Sequence, residues 1–72
     1  MTVVALSIKD EHLDRVRSIV YASRLVGTIS HYEIHHGETE HVVELTGIRS
    51  TITLLTNQLS TQFGASIVNP EA

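Results

Sequence analysis

The chain opens with a run in which alternate residues are apolar, from Thr2 to Ile8. A period of two is typical of a β-strand that has one buried face. The apolar face of this first strand comprises Val4, Leu6 and Ile8. Apolar residues then recur three or four positions apart, which predicts an amphipathic helix that runs to about Leu25 and that Asp10 is placed to cap. The inward stripe of this helix comprises Leu13, Val16, Ile19 and Val20.

The middle of the chain predicts a β-hairpin. Thr28 to His36 and Glu40 to Thr46 are rich in β-forming residues, and Gly37-Glu38 between them suits a tight turn. Helical spacing returns after the hairpin, and Gly64 fits the position just past the end of a second helix. The apolar stripe of this helix comprises Ile48, Ile52, Leu55, Leu59 and Phe63. Ala65 to Asn69 is predicted to form a short last strand.

The predicted order of elements is β-α-β-β-α-β. The segment Thr2 to Ser7 is echoed 39 positions later by His41 to Thr46, which indicates two similar β-α-β halves. Such halves form an α+β ferredoxin-like sandwich, in which two helices cover one face of a four-stranded antiparallel sheet and leave the other face open. The sequence therefore predicts a single ferredoxin-like domain over residues 1–72.

Small size and composition favour self-association. A chain of 72 residues buries only about 60% of the surface that its unfolded form exposes. Without cysteine it has neither a disulfide nor a thiolate metal site to add stability. We therefore expect a homo-oligomer, formed through the open sheet face or an edge strand. The apolar stripe that this contact would cover comprises Val3, Ala5, Ile29 and Val42.

Composition also limits the classes of function. A net charge of −3, with few basic residues mixed among acidic ones, predicts no direct nucleic-acid binding. No nucleophile turn, phosphate-binding loop or His-Glu-x-x-His helix is present, so no enzymatic activity is expected. The apolar runs are too short to span a bilayer and no signal segment opens the chain, which predicts a cytoplasmic protein without membrane contact.

The residues with the most chemical potential are concentrated in the predicted hairpin. Four of the five histidines and four of the eight acidic residues lie between Gly27 and Gly47. A turn at Gly37-Glu38 would pair His35 with Glu40 and His31 with Glu44. The residues sharing the open sheet face would then be Ile29, His31, Glu33, His35, Glu40, Val42 and Glu44. His36 and His41 are expected at the sheet margin, leaning toward the helices as partly buried polar residues.

Imidazole and carboxylate groups together suit a divalent transition-metal ion such as Ni or Zn. The candidate metal ligands are His31, Glu33, His35, Glu40 and Glu44. His31 with the glutamates at 33 and 44, or His35 with those at 33 and 40, could each supply two or three ligands. The two histidines lie about 13 Å apart along an extended strand, so a complete site requires water or a partner subunit. The alternative is a set of ordinary cross-strand pairs, worth about 0.2 to 1 kcal/mol each.

From Gly27 onward, a further pattern is present: Gly-Thr-Ile-Ser, His-x-Glu, Val-Val-Glu-Leu-Thr-Gly, an amphipathic helix and a final Gly-x-Ser-Ile strand. It resembles the regulatory domain of nickel-responsive CopG-type repressors and of related regulators of iron-only hydrogenase systems. The resemblance implies an ACT-like regulatory domain that assembles through its sheets, and it places His31 at the first of two alternating nickel-binding histidines. Glu33 stands in place of the second histidine and Thr39 in place of the cysteine ligand. The N-terminal ribbon-helix-helix that reads DNA is absent, so a role as a transcriptional regulator would require a DNA-binding partner.

A metal-sensing or ligand-sensing regulatory domain is therefore the leading hypothesis, and two others stay open. The first strand and helix resemble ACT domains such as those of acetolactate synthase small subunits, which implies amino acid sensing. ACT domains usually place a glycine at the first strand-helix turn, whereas Lys9 to Leu13 contains none. The other hypothesis is a chaperone or assembly partner that captures a peptide by strand addition at the edge strand, residues 28–36. The His-Glu-His charges of that strand also suit protection against unwanted pairing.

Overall fold

The computed structural model describes residues 1–68, which form one four-stranded antiparallel sheet and two α-helices. The strands are β1 (Thr2–Lys9), β2 (His31–His35), β3 (Glu40–Gly47) and β4 (Ser66–Ile67), and the helices are α1 (Leu13–Leu25) and α2 (Arg49–Phe63). The element order β-α-β-β-α-β and the strand order β2-β3-β1-β4 confirm the predicted α+β ferredoxin-like sandwich. Neither helix in this part of the chain has the length and apolar character to cross a membrane.

The hydrophobic core of residues 1–68 lies between the two helices and one face of the sheet. The alternation predicted for β1 is correct, because Leu6 and Ile8 are fully buried. The predicted stripe of α1 also faces inward, with Ile19 half-buried at its edge. The other core residues are Val16, Val20, Ile29, Val43, Leu45, Ile52, Leu55, Leu59 and Ala65. Full burial of an aliphatic side chain is worth about 1.5 to 3 kcal/mol, so this shared core holds both helices on the sheet.

The prediction that Asp10 caps α1 is wrong. A single 3₁₀ turn, Asp10–His12, precedes α1, and neither helix start has a side-chain capping hydrogen bond. The Asp10 carboxylate instead accepts a hydrogen bond from Nε2 of His41, and the Asp10 amide donates to the carbonyl of Thr39 at 3.1 Å. Asp10 therefore joins the start of the helix to the loop between β2 and β3.

The C-terminal end of α2 agrees with the prediction, whereas its N-terminal end does not. Gly64 follows the helix in the left-handed conformation (φ 67°), and its amide donates to the carbonyl of Ser60. Ile48 precedes the helix as its N-cap residue and is 64% exposed, so its predicted place in the inward stripe is wrong. The last strand is shorter than predicted, although the Val68 amide still donates to Ala5. Asn69, the predicted end of that strand, lies outside the described residues.

Ile29 lies in the core and not on the open sheet face as predicted. Thr28 to Ser30 form a bend, in which the Thr28 amide donates to the carbonyl of Ser23 at 2.8 Å. Hydrogen bonding to β3 begins only where the Ser30 amide donates to Thr46. Strand alternation therefore starts after Ile29, whose side chain is 1% exposed.

Thr56 contributes a polar atom to the inner side of α2. Its Oγ1 is buried and has no hydrogen-bond partner among residues 1–68. A buried hydroxyl without a partner costs free energy because it loses its bonds to water.

Replacing this hydroxyl with a methyl group should stabilise the protein. Thr56→Val should raise the free energy of unfolding by about 1 kcal/mol, because it removes the desolvation penalty at nearly constant volume. Thr53→Val, at an exposed position of the same helix, controls for the change in helix propensity and should change stability little. Urea unfolding of both variants tests this, and a loss of stability for Thr56→Val would contradict it.

Candidate functional site

The hairpin of β2 and β3 differs in register by two residues from the prediction. Glu33 lies opposite Glu44 and His35 lies opposite Val42, whereas a tight turn at Gly37-Glu38 would have paired Glu33 with Val42. Because the shift is an even number, each side chain keeps its predicted face of the sheet. The odd-numbered residues of β2 therefore remain on the open face, but their cross-strand partners change.

A wider loop causes this change in register. Six residues, 36–41, separate the last paired residue of β2 from its partner in β3. The loop packs against the His41 side chain, and the Gly37 amide donates a hydrogen bond to Nδ1 of His41 at 3.3 Å. A Cβ at position 37 would overlap the carbonyl oxygen of Glu40, so only glycine fits this approach. The turn is therefore set by contacts with His41 and not by a two-residue closure.

His41 connects three segments at the end of the sheet. Its ring is 5% exposed, more buried than predicted, whereas His36 is exposed. Nε2 lies 2.7 Å from the Asp10 carboxylate. Because the Gly37 amide can only donate, Nδ1 of His41 must accept, and the ring proton is on Nε2. The sequence indicated a polar role for His41 but not its partner, which is 31 positions away.

Glu33, His35 and Glu44 form the cluster on the open sheet face that best fits a metal ion. Each offers a ligand atom within 4.8 Å of the others, and Nε2 of His35 lies 3.6 Å from Oε1 of Glu33. Donor atoms around a tetrahedral ion lie about 3.3 to 3.5 Å apart, given metal–ligand distances near 2.1 Å. Glu33 and His35 are exposed and Glu44 is half-buried. Small rotamer changes would therefore bring the three groups to one ion.

The five predicted ligands do not come together as one set. His31 lies opposite Thr46 and outside the cluster. The Glu40 carboxylate accepts a hydrogen bond from Ser7 Oγ, across on β1. The cluster thus combines Glu33 and Glu44 from one predicted set with His35 from the other, as a direct result of the shifted register.

No basic residue lies directly opposite Glu44 on either neighbouring strand to balance its negative charge. Glu33 and Glu44 are direct cross-strand neighbours, and the residue opposite Glu44 on the other side is Ala5. Like charges placed directly opposite each other destabilise a pair of strands. A divalent cation between the two carboxylates would remove this repulsion.

The open face is less apolar than the sequence predicted. Ala5 and Ile29 are buried, so they do not form part of an exposed stripe. Val3 is 43% exposed and Val42 is half-buried. Val68, 45% exposed and hydrogen-bonded to the backbone of Ala5, adds to this surface. A smaller apolar surface therefore remains beside the charged cluster.

Comparison with known proteins found no matching family model, no matching curated protein and no matching solved structure. The resemblance to the regulatory domain of CopG-type repressors therefore stays a prediction.

Removing one of the opposed carboxylate charges should stabilise the metal-free protein. Glu33→Gln and Glu44→Gln should each raise the free energy of unfolding by about 0.2 to 1 kcal/mol. The double variant should gain less than the sum of the two, because either substitution alone ends the repulsion. The gain should also shrink at high salt.

Urea unfolding in the presence of a chelator measures these effects. Asp14→Asn is the control for the loss of one negative charge elsewhere in the chain. Asp14 lies on α1, where its carboxylate is 3.8 Å from the Arg17 guanidinium. Strictly additive effects, or a loss of stability for both single variants, would show that the two carboxylates do not repel each other.

Proposed function

We propose that this chain is a small, non-enzymatic regulatory domain that binds Ni or Zn through Glu33, His35 and Glu44 in a homo-oligomer. The observation that supports this proposal is the convergence of three ligand atoms within 4.8 Å. One imidazole and two carboxylates form a suitable donor set for borderline divalent ions. The ion would also neutralise the opposed pair of carboxylates, so binding and strand pairing would reinforce each other.

Three ligands from one protomer leave a tetrahedral ion with one free position. The cluster lies on an exposed sheet face, so water or a residue of a second copy can reach this position. An ion that gains its last ligand from a second copy joins metal binding to association. This coupling would give the domain a means of reporting metal availability.

The negative charge of the chain also supports a coupling between metal binding and self-association. Each copy carries a net charge of −3, and the carboxylates of the cluster lie on the face that we propose as the interface. Two such faces repel each other without a cation between them. Metal binding would lower this repulsion and so allow the apolar surface of Val3, Val42 and Val68, which is already accessible, to pack against a partner. An effect on transcription would then require a separate DNA-binding protein, because the chain has only five Lys and Arg residues.

A second candidate function is peptide capture by strand addition. The observation that favours it is that β2 is an edge strand, next to β3 only. An extended peptide could add hydrogen bonds along His31–His35. The charged side chains on the exposed face of this strand oppose indiscriminate pairing, so this function ranks below metal binding.

Metal binding at the cluster should require His35 and Glu44 but should not require a histidine elsewhere in the chain, such as His12. Calorimetric titration of the chelator-treated protein with Ni²⁺ and Zn²⁺ should show that His35→Ala and Glu44→Gln weaken binding at this site at least about tenfold, since each removes a ligand. His12→Ala removes a histidine outside the cluster and should bind like the unmodified chain. Equal affinities for His35→Ala and His12→Ala would refute the proposed site.

The protein should self-associate at micromolar concentration, and zinc should strengthen the association. Sedimentation velocity with zinc and with a chelator measures both effects. Val3→Lys, on the open face, should weaken the oligomer. Leu54→Lys, on the outer side of α2 where the residue is 70% exposed, should leave it unchanged. A monomer under both conditions would remove the oligomer from the proposal.

A further inference from the structure

The loop between β2 and β3 brings together two imidazole nitrogens on the side of the hairpin opposite the open face. Nδ1 of His36 and Nδ1 of His41 lie 3.2 Å apart. The rings are nearly perpendicular, at 80°, with centroids 5.0 Å apart. Two imidazole ligands of a tetrahedral ion have nitrogens about 3.3 to 3.4 Å apart, given metal–nitrogen distances of about 2.0 to 2.1 Å. The spacing of the pair is therefore close to that of two ligands of one ion, which would take the place of the Gly37 amide at Nδ1 of His41.

The hydrogen bonds of His41 prepare its Nδ1 to act as a ligand. The Gly37 amide donates to Nδ1, so this atom carries the lone pair, and the proton on Nε2 is donated to the Asp10 carboxylate at 2.7 Å. Histidine ligands in metal sites almost always donate their other ring N–H to such an acceptor, often a carboxylate. The carboxylate fixes the ring orientation and holds the ring proton on Nε2, away from the ligating nitrogen.

We propose that His36 and His41 bind a divalent ion such as Zn²⁺ through their Nδ1 atoms, with Asp10 as the positioning residue behind His41. This site shares no residue with the cluster of Glu33, His35 and Glu44, and it does not rest on the function proposed for that cluster. His41 is held in place by burial, whereas His36 is exposed and free to adjust. Two protein ligands leave the remaining positions to water or to another protein.

The surroundings of the pair favour a cation. Asp10 also borders an open depression of about 530 Å³. Its lining residues are Lys9, Asp10, Glu11, Glu38, Thr39 and Glu40. Four of these six are acidic and one is basic, so the local potential attracts a divalent ion and opposes an anion. The Gly37 hydrogen bond that the ion would replace is long, at 3.3 Å.

A hydrogen-bonded pair without metal is the competing explanation. In that arrangement, the proton on Nδ1 of His36 is donated to Nδ1 of His41 and no ion is required. The two explanations differ in the response of these nitrogens to zinc. Nitrogen-15 NMR of the histidine-labelled full chain, treated with chelator and then titrated with Zn²⁺ alone, distinguishes them.

Zinc should shift the Nδ1 resonances of His36 and His41 together. His36→Ala should abolish the response of His41, and because His36 is exposed this variant should keep the fold. Asp10→Asn should weaken zinc binding at the pair by about 10- to 100-fold, as is typical when a partner of a metal-bound histidine is lost. Asp14→Asn, which removes an acidic charge on α1 outside both sites, should leave the affinity at the pair unchanged. Core methyl resonances serve as the check on folding.

The outcomes separate the two sites. A zinc response at His36 and His41 without one at His35 would support this inference and exclude zinc as the ion of the Glu33, His35 and Glu44 cluster. A response at His35 alone would show that the histidine pair is only hydrogen-bonded and would overturn the inference. No response up to millimolar zinc would overturn this inference and also exclude zinc from the cluster. An unchanged affinity in Asp10→Asn would remove Asp10 from the site.

Discussion

The antiparallel pairing of β1 with β3 fixes the position of both candidate sites. Eight residue pairs join the strands in continuous register, from Thr2 and Gly47 to Lys9 and Glu40. The alternating pattern places Leu6 and Val43 together in the core and Ala5 beside Glu44 on the open face. The same pairing brings Asp10, just past the end of β1, to His41 near the start of β3. Loss of this register would separate both sets of polar residues.

Local patterns were sufficient to predict most of the fold. The apolar faces of β1 and α1 follow from periods of two and of 3.6 residues, and Gly64 marks the end of α2 because it adopts the left-handed conformation there. Ile29 and Ile48 were placed incorrectly because each lies at the boundary of an element. At such positions, the contacts of the chain outside the element decide where the side chain points.

The sequence predicted which residues share the open face, but not which of them are close enough to bind one ion. Alternation along the hairpin placed Glu33, His35 and Glu44 on the open face, and the structure agrees. Which of them are neighbours depends on the loop, which closes on His41, and His41 is also bonded to Asp10, 31 positions away. Neither turn propensity nor periodicity contains that information. The predicted topology could have suggested the contact between Asp10 and His41, because antiparallel pairing brings the end of β1 next to the start of β3.

The position of His35 and His36 has a consequence for how the hairpin responds to ions. The two residues are consecutive, yet one contributes to the open face and the other contacts His41 on the opposite side. A single peptide unit therefore joins the two candidate sites, and an ion bound on either side would restrict the same backbone torsions. Such a connection is a thermodynamic linkage: if the first ion changes the affinity for the second, the second changes the affinity for the first by the same factor. The sign of that coupling would determine whether the hairpin fills in one step or in two.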